Sequence, residues 1–369
     1  MVTNKIKSID LYKGIAIMCI IFTHFAQLFN LPHIVSRLSE FGQMGCQIFF
    51  TLSCFSLCLS YKKNNPTYLD FIKKRFIKIH VGYYIMIIVF TILRLFNIPE
   101  YYGSIKSAIN LKGILVNMLF LNGLSRDYTI NNKIVYGGWF VGTIVILYLL
   151  FPLLYRIFIN KKGVIRHKIC YFIPVLISTV LTIGVLILKM INSDIVTHNS
   201  IFMYSSFATQ MTSFCVGFIL FSLYNNDSFK KIKYPLIKFI ILFILSGVLY
   251  YKGQILSITF LSCIFSLSFL YLFCFTYNFI ENMNEKNIIY KLLEKFGKSS
   301  FEIFLTQSIV IWCIFGYGFI KKISIRFIPN DILRFIILLP IIYLTTYLFG
   351  YILSNIIKKL SSLNKRREI

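Results

Sequence analysis

Residues 6–27 read IKSIDLYKGIAIMCIIFTHFAQ, an apolar segment that carries two ionisable side chains, Lys13 and His24. A helix that crosses a bilayer needs about 20 mainly apolar residues, and this segment is long enough. The two side chains are eleven positions apart. At about 100° and 1.5 Å per residue, that spacing returns to within about 20° of the same direction and rises about 16 Å. Both side chains therefore project from one face of a predicted transmembrane helix.

His24 has two interpretations at this depth. Ionisable groups are costly in the hydrocarbon core, so an intramembrane histidine is by default a functional hypothesis. The alternative is a packing residue that hydrogen-bonds to a neighbouring helix. The presence of Lys13 on the same face strengthens the functional interpretation, and both interpretations stay open at this point.

The composition of the chain is that of a polytopic membrane protein. Of 369 residues, 57% are hydrophobic and 14% are charged, and the mean hydropathy of +0.74 excludes a water-soluble globular domain. Apolar runs predict an all-α polytopic membrane protein with about ten transmembrane helices, in a single integral membrane domain over 1–369 with no appended soluble domain. The predicted segments are 11–29, 43–60, 80–98, 136–158, 170–190, 202–223, 235–251, 255–278, 299–320 and 332–357.

The formal net charge of +26 is explained by membrane orientation. Most Lys and Arg residues lie at the ends of apolar runs, in segments that become cytoplasmic if the N-terminus is inside. The positive-inside bias then predicts that both termini are cytoplasmic. Membrane lipids are expected partners and nucleic acid is not. The first helix has no small-residue cleavage site after it and is expected to be retained.

The sequence predicts no metal site and no permanently bound cofactor. The nine cysteines lie within or at the edges of apolar runs and form no CxxC pair, which favours buried packing. Walker loops, dinucleotide fingerprints, HExxH and nucleophile elbows are all missing from the sequence.

The densest basic cluster is YKKNNPTYLDFIKKRFIKIHVGYY at residues 61–84. Arg75 and Lys78 are three positions apart, so a helix projects them from one side, with Lys74 beside them. Arg binds phosphate through charge-assisted hydrogen bonds and Lys adds a point charge. Membrane orientation and attraction to anionic lipids are the alternative explanation.

Polar residues also interrupt the second predicted helix. Gln43 and Gln47 are four positions apart on one face, and Ser53 follows further in. Hydrogen bonding between helices and a substrate-lining role both explain them.

The ninth predicted helix begins with Glu302 and Gln307 in apolar surroundings. A carboxylate in that setting needs a cationic partner, for which Lys13, Arg75 and Lys78 are the candidates. Both polar residues are further candidates for lining a substrate site.

The segment NLKGILVNMLFLNGL at residues 110–124 is apolar but too short to span. Backbone that enters a membrane without spanning it is tolerated only where protein or a water-filled cavity covers it. We expect it to lie at the interface or to dip into the membrane, as a lid or lining.

These motifs together resemble acyltransferase family 3, bacterial integral membrane acyltransferases that modify cell-surface glycans. IDLYKGIAIMCIIFTHF is similar to the family's first-helix signature, a basic residue and a His separated by ten residues, which maps onto Lys13 and His24. KKRFIKIHVGYY resembles the basic third-helix motif, which maps onto Arg75 and Lys78. GCQIFFTLSCFSL, GGWFVGTIVILYLLFPLL and FGKSSFEIFLTQ resemble its second, fourth and near-terminal helices.

The chain departs from the family's usual residues at several positions. Lys78 stands where Arg is frequent, and Ile144 or Val145 stands where many members carry Glu in the fourth helix. Cys54 replaces a frequent Gly, and Gln307 replaces a frequent His.

The resemblance implies an acyl-CoA donor, most simply acetyl-CoA, and a saccharide hydroxyl as acceptor, in the bacterial plasma membrane. Lys13, Lys74, Arg75 and Lys78 would bind the nucleotide, and His24 with Lys13 would form the catalytic pair. His24 would act as general base or as a transient acyl carrier, since imidazole titrates near neutral pH. The extended pantetheine arm is of the same order as the roughly 16 Å between Lys13 and His24. Glycan-synthesis machinery is an expected partner.

Two other classes of function fit the helices and polar residues. An exporter or flippase for a polysaccharide or a lipid-linked glycan would tolerate conservative loss of His24 and would not need acyl-CoA. A structural or regulatory partner of a glycan synthase would tolerate loss of the polar residues named above.

Overall fold

The computed structural model describes residues 6–96, 111–124, 134–191, 204–252, 255–316 and 319–367. This part of the chain is 85% helix with no strand, which confirms the predicted all-α class. The helices, in chain order, are α1 (Lys7–Ala26), α2 (His33–Phe41), α3 (Gly45–Asn64), α4 (Tyr68–Leu95), α5 (Leu111–Met118), α6 (Gly138–Phe158), α7 (Ile173–Ile191), α8 (Phe207–Asn225), α9 (Pro235–Lys252), α10 (Ile255–Glu281), α11 (Ile288–Lys298), α12 (Ser300–Ser308), α13 (Phe319–Phe327) and α14 (Asp331–Arg367). A π-helical segment, Ile309–Phe315, continues α12.

Seven helical segments within the described ranges are long and apolar enough to cross a membrane. They are α1, α2 together with α3, α4, α6, α8, α10 and α14. An eighth would be the pair α11 and α12, which bends by 72°. The apolar stretches of α7 and α9 are shorter, at Ile173–Leu188 and Pro235–Tyr251.

Helices thus occupy all ten predicted segments. Within the described residues, the helices in seven of these segments are long and apolar enough for a full span. Residues 97–98, 202–203 and 317–318 of the predicted segments lie outside the described residues. The number of crossings, the side on which each terminus lies and the single-domain assignment stay predictions.

The short apolar segment at 111–124 packs against the bundle instead of spanning. It forms α5 and a single 3₁₀ turn, Leu121–Gly123. Asn117 and Asn122 are fully buried there and hydrogen-bond to the Tyr83 hydroxyl of α4 at 2.9 and 3.2 Å. Protein therefore covers the polar groups of this segment, as the membrane requires.

The N-terminus of α1 is capped by a carboxylate from a distant part of the chain. Glu281, at the end of α10, accepts hydrogen bonds from the backbone amides of Lys7 and Ser8 at 3.1 and 2.9 Å, and from the Ser8 hydroxyl at 2.7 Å. The first amides of a helix have no partner within the helix, and an anion there also favours the helix dipole. This cap fixes the start of the helix that carries Lys13.

Helix α1 also touches α11 backbone to backbone. A Cβ on Gly14 would collide with the carbonyl oxygen of Leu293, and a Cβ on Gly297 would collide with the carbonyl oxygen of Asp10. Backbone carbonyls cannot move aside as the end of a flexible side chain can. Glycine at both positions therefore allows the two helices to cross in direct contact.

We expect Gly297→Ala to destabilise the protein, because the new methyl group forces α1 and α11 apart. Overpacking of this kind costs about 1–3 kcal/mol. The measurement is the apparent melting temperature of the purified protein in detergent micelles. Gly184→Ala is the matched control, since a Cβ on Gly184 meets no atom within 4 Å. Equal melting temperatures for the two variants would contradict the close contact.

Candidate functional site

A pocket of about 120 Å³ lies between α1, α3, α4, α6 and α12. Three cationic side chains line it, Lys13 from α1 and Arg75 and Lys78 from α4. The structure thus brings together three of the residues that the sequence singled out. We call this cavity the cationic pocket.

Much of the remaining wall of the cationic pocket is aromatic. The rings belong to Phe49 of α3, Phe140 and Tyr148 of α6, and Phe301 and Phe304 of α12. Ring centroids of Phe140 and Phe304 are 4.8 Å apart, which joins α6 to α12 beside the pocket. The pocket therefore combines positive charge with flat apolar surfaces.

The start of α4 sets the direction of its two cations. Thr67 accepts a hydrogen bond from the Asp70 amide at 3.2 Å and donates one to the Asp70 carboxylate at 2.6 Å, as helix caps do. About two turns later Arg75 and Lys78 project together, as their spacing predicted. Arg75 lies over the ring of Phe71, 5.6 Å from its centroid, so a cation–π contact orients the guanidinium.

Among the described residues, the acidic side chains that interact with Lys13 and Lys78 lie outside the pocket lining. Asp10 interacts electrostatically with Lys13 and Lys78, and Glu302 interacts with Lys78. Neither carboxylate lines the cavity. Lys13 instead faces electrostatic repulsion from both Lys78 and Arg75.

One atom of the Arg75 guanidinium has no hydrogen-bond partner. Its Nε is buried, and no acceptor reaches it from the described residues. Buried polar atoms in proteins nearly always have partners, so an exception calls for an explanation. An anion in the cationic pocket would satisfy this donor and reduce the repulsion among the three cations.

Tyr148 is a pocket residue that the sequence analysis missed. Its hydroxyl lies close to Ser53, a predicted lining residue that does line the pocket, and to the Arg75 guanidinium. Ile144 lines the pocket one turn earlier in α6. The available signal was a tyrosine in an otherwise apolar run, at helical spacing from Phe140 and Ile144.

His24 is half-buried on α1 and does not line the cationic pocket. Its Nδ1 is 3.4 Å from the Oε1 of Gln27. Because α1 is unbroken from Lys7 to Ala26, the rise of about 16 Å between Lys13 and His24 applies along its axis.

Gln43 and Gln47 make hydrogen bonds between segments distant in sequence, which is one of the two roles considered for them. Gln47 is fully buried, and Gln43 donates to the Tyr250 hydroxyl at 3.0 Å. The Nε2 of Gln47 approaches the Tyr204 hydroxyl at 3.3 Å, Oε1 of Gln210 at 3.2 Å and Oγ of Ser262 at 3.2 Å. Neither glutamine lines the cationic pocket, and a substrate-lining role for them stays a prediction.

Lys74, Glu302 and Gln307 lie outside the cationic pocket. Lys74 is exposed, and half-buried Glu302 interacts electrostatically with Lys78 and with Lys358 of α14. Gln307 is buried at the end of α12, one turn beyond Phe304. Their predicted roles stay predictions.

The described residues contain no group of three or more His, Cys, Asp or Glu side chains that could hold a metal ion.

Comparison with known proteins identifies the family. A family model described as an acyltransferase domain, that of acyltransferase family 3, matches residues 6–356. No curated protein and no solved structure matches the chain. The matched range contains His24 and every residue of the cationic pocket. The chain therefore belongs to acyltransferase family 3 and is a membrane acyltransferase.

Proposed function

We propose that this acyltransferase moves an acyl group, most simply acetyl, from acyl-CoA to a hydroxyl of a cell-surface or lipid-linked saccharide. The observation that carries the proposal is the convergence of Lys13, Arg75 and Lys78 on one pocket, where the Arg75 Nε lacks a partner. The acceptor class follows from the family resemblance. The location would be the bacterial plasma membrane, with the cationic pocket open to the cytoplasmic donor.

The charges of the pocket suit the phosphate groups of coenzyme A. Arg75 can donate charge-assisted hydrogen bonds to phosphate, and Lys13 and Lys78 add positive charge. Complete small-molecule sites are usually about 300–1,000 Å³, so a cavity of about 120 Å³ takes only part of the donor. We infer that it holds phosphate groups while the rest of the donor extends beyond it.

The spacing along α1 supports delivery of the thioester to His24. Lys13 and His24 are separated by a rise of about 16 Å on one continuous helix. The extended pantetheine arm has a length of that order. A donor anchored by its phosphates at Lys13 would therefore present its thioester near the imidazole.

His24 would act as the general base. It accepts the proton of the acceptor hydroxyl as the hydroxyl oxygen bonds to the thioester carbonyl carbon. The carbon–sulfur bond then breaks, and the departing thiolate of coenzyme A takes up the proton. The products are an O-acyl saccharide and free coenzyme A.

We expect His24→Ala to lose acyl transfer. A general base typically contributes about 100-fold or more in rate. The measurement is incorporation of label from radiolabelled acetyl-CoA into surface glycan, in membranes with matched expression. His33→Ala is the control, because His33 is an exposed histidine in α2.

Full incorporation by His24→Ala would remove His24 from the mechanism. If the unmodified protein incorporates no label while its deletion blocks glycan export, the exporter hypothesis replaces the proposed reaction.

We expect Arg75→Met to weaken coenzyme A binding by roughly 10- to 100-fold, because hydrogen bonds to charged groups contribute about 1.5–3 kcal/mol. The measurement is the dissociation constant of coenzyme A for the purified protein in micelles. Lys73→Met removes a charge from an exposed position two residues away and serves as the control. Equal affinities for the two variants would show that the donor does not bind at the cationic pocket.

A further inference from the structure

Two adjacent side chains at the end of α12 have buried polar atoms without partners. Gln307 is 4% exposed and Ser308 is 5% exposed. Among the residues that the structure describes, none hydrogen-bonds to the Oε1 of Gln307 or to the Oγ of Ser308. Leaving a polar group buried without a partner costs about 1–3 kcal/mol, so a ligand that supplies a partner to either atom would gain binding free energy.

Gln307 and Ser308 lie on α12 one turn beyond a residue of the cationic pocket. Phe304 lines the cationic pocket and contacts Phe140 of α6. Gln307 and Ser308 follow Phe304 by three and four positions, which places them on the same face one turn further along. Ile303 packs against Gly350 of α14, and Gln307 projects between the directions of Ile303 and Phe304.

The continuation of α12 fixes their level relative to His24. The π-helical segment that begins at Ile309 brings Phe315 within 6.1 Å of the Phe25 ring, measured between centroids, and Phe25 directly follows His24. Gln307 and Ser308 therefore lie between the level of the cationic pocket and the level of His24. Single π-helical turns within α-helices are rare and are frequent at functional sites.

The two unpaired atoms match the chemistry of an amide. Oε1 of Gln307 accepts a hydrogen bond from an N–H group, and the Ser308 hydroxyl can donate one to a carbonyl. The pantetheine arm of coenzyme A carries amide groups between its phosphates and its thioester. It would cross this region if the donor reaches from Lys13 to His24.

We propose that Gln307 and Ser308 bind the amide groups of the pantetheine arm and thereby guide the thioester from the cationic pocket to His24. The proposal rests on the proposed function, since it requires acyl-CoA as donor. Gln307 and Ser308 are positioning residues in this scheme, because neither contacts the reacting atoms.

The test compares two ligands with the unmodified protein and with Gln307→Leu, purified in micelles. Coenzyme A carries the arm, and adenosine bisphosphate reproduces its nucleotide half without the arm. Loss of one neutral hydrogen bond is worth about 0.5–1.5 kcal/mol, so Gln307→Leu should weaken coenzyme A binding about two- to tenfold. Its affinity for adenosine bisphosphate should not change.

A second readout separates this role from a structural one. Leucine removes an unsatisfied buried polar group, so the melting temperature of Gln307→Leu without ligand should equal or exceed that of the unmodified protein. Thr306→Val is the matched control, because within the described part of the chain the Thr306 hydroxyl bonds only to carbonyls of its own helix, at Glu302 and Ile303. The affinity of Thr306→Val for coenzyme A should not change. Ser308→Ala should bind coenzyme A more weakly and adenosine bisphosphate as tightly as the unmodified protein does.

The outcomes distinguish a failure of the arm-binding role from a failure of the proposed function. Unchanged coenzyme A affinity in Gln307→Leu and Ser308→Ala would overturn the arm-binding role and leave the proposed function intact. Equal weakening for both ligands, or a lowered melting temperature, would also overturn it, since the residues would then support only the fold. If the unmodified protein binds neither ligand, the acyl-CoA donor itself is wrong.

Discussion

The close packing of α1 is the constraint on which the rest of the structure depends. Its N-terminus is capped by Glu281, and the glycines at its crossing with α11 leave no room for a side chain. Lys13 lies beside Gly14, so the same contact that positions the helix also sets the depth of the charge. His24 follows on the same unbroken helix, and its distance from Lys13 is therefore fixed by helix geometry.

The second organising feature is a group of like charges that helix packing keeps close together. Lys13, Arg75 and Lys78 repel one another around a small cavity, while Asp10 and Glu302 act from outside it. A ligand that brings negative charge removes this repulsion, so its binding should stabilise the fold by linkage. Among the described residues, buried polar atoms without partners include Arg75 Nε at the cationic pocket and the side chains of Gln307 and Ser308 on α12, as well as Ser56 Oγ and Asn122 Oδ1 elsewhere in the bundle.

Sequence periodicity predicted the features that are local. The face shared by Lys13 and His24, and the three-residue spacing of Arg75 and Lys78, depend only on helix geometry. Tyr148 was missed because its role depends on contacts with α3 and α4, and the partners of Gln47 lie far along the chain. Hydropathy alone also could not separate a full span from the bent pair α11 and α12, or from α7 and α9, whose apolar stretches within the described residues are shorter.

The most direct test of this account is a structure determined by electron cryomicroscopy with coenzyme A at saturating concentration. The account predicts phosphate density within hydrogen-bonding distance of the Arg75 guanidinium and beside Lys13. The pantetheine arm should run along α1 toward His24. Donor density elsewhere in the bundle, or an empty cationic pocket at saturation, would contradict it.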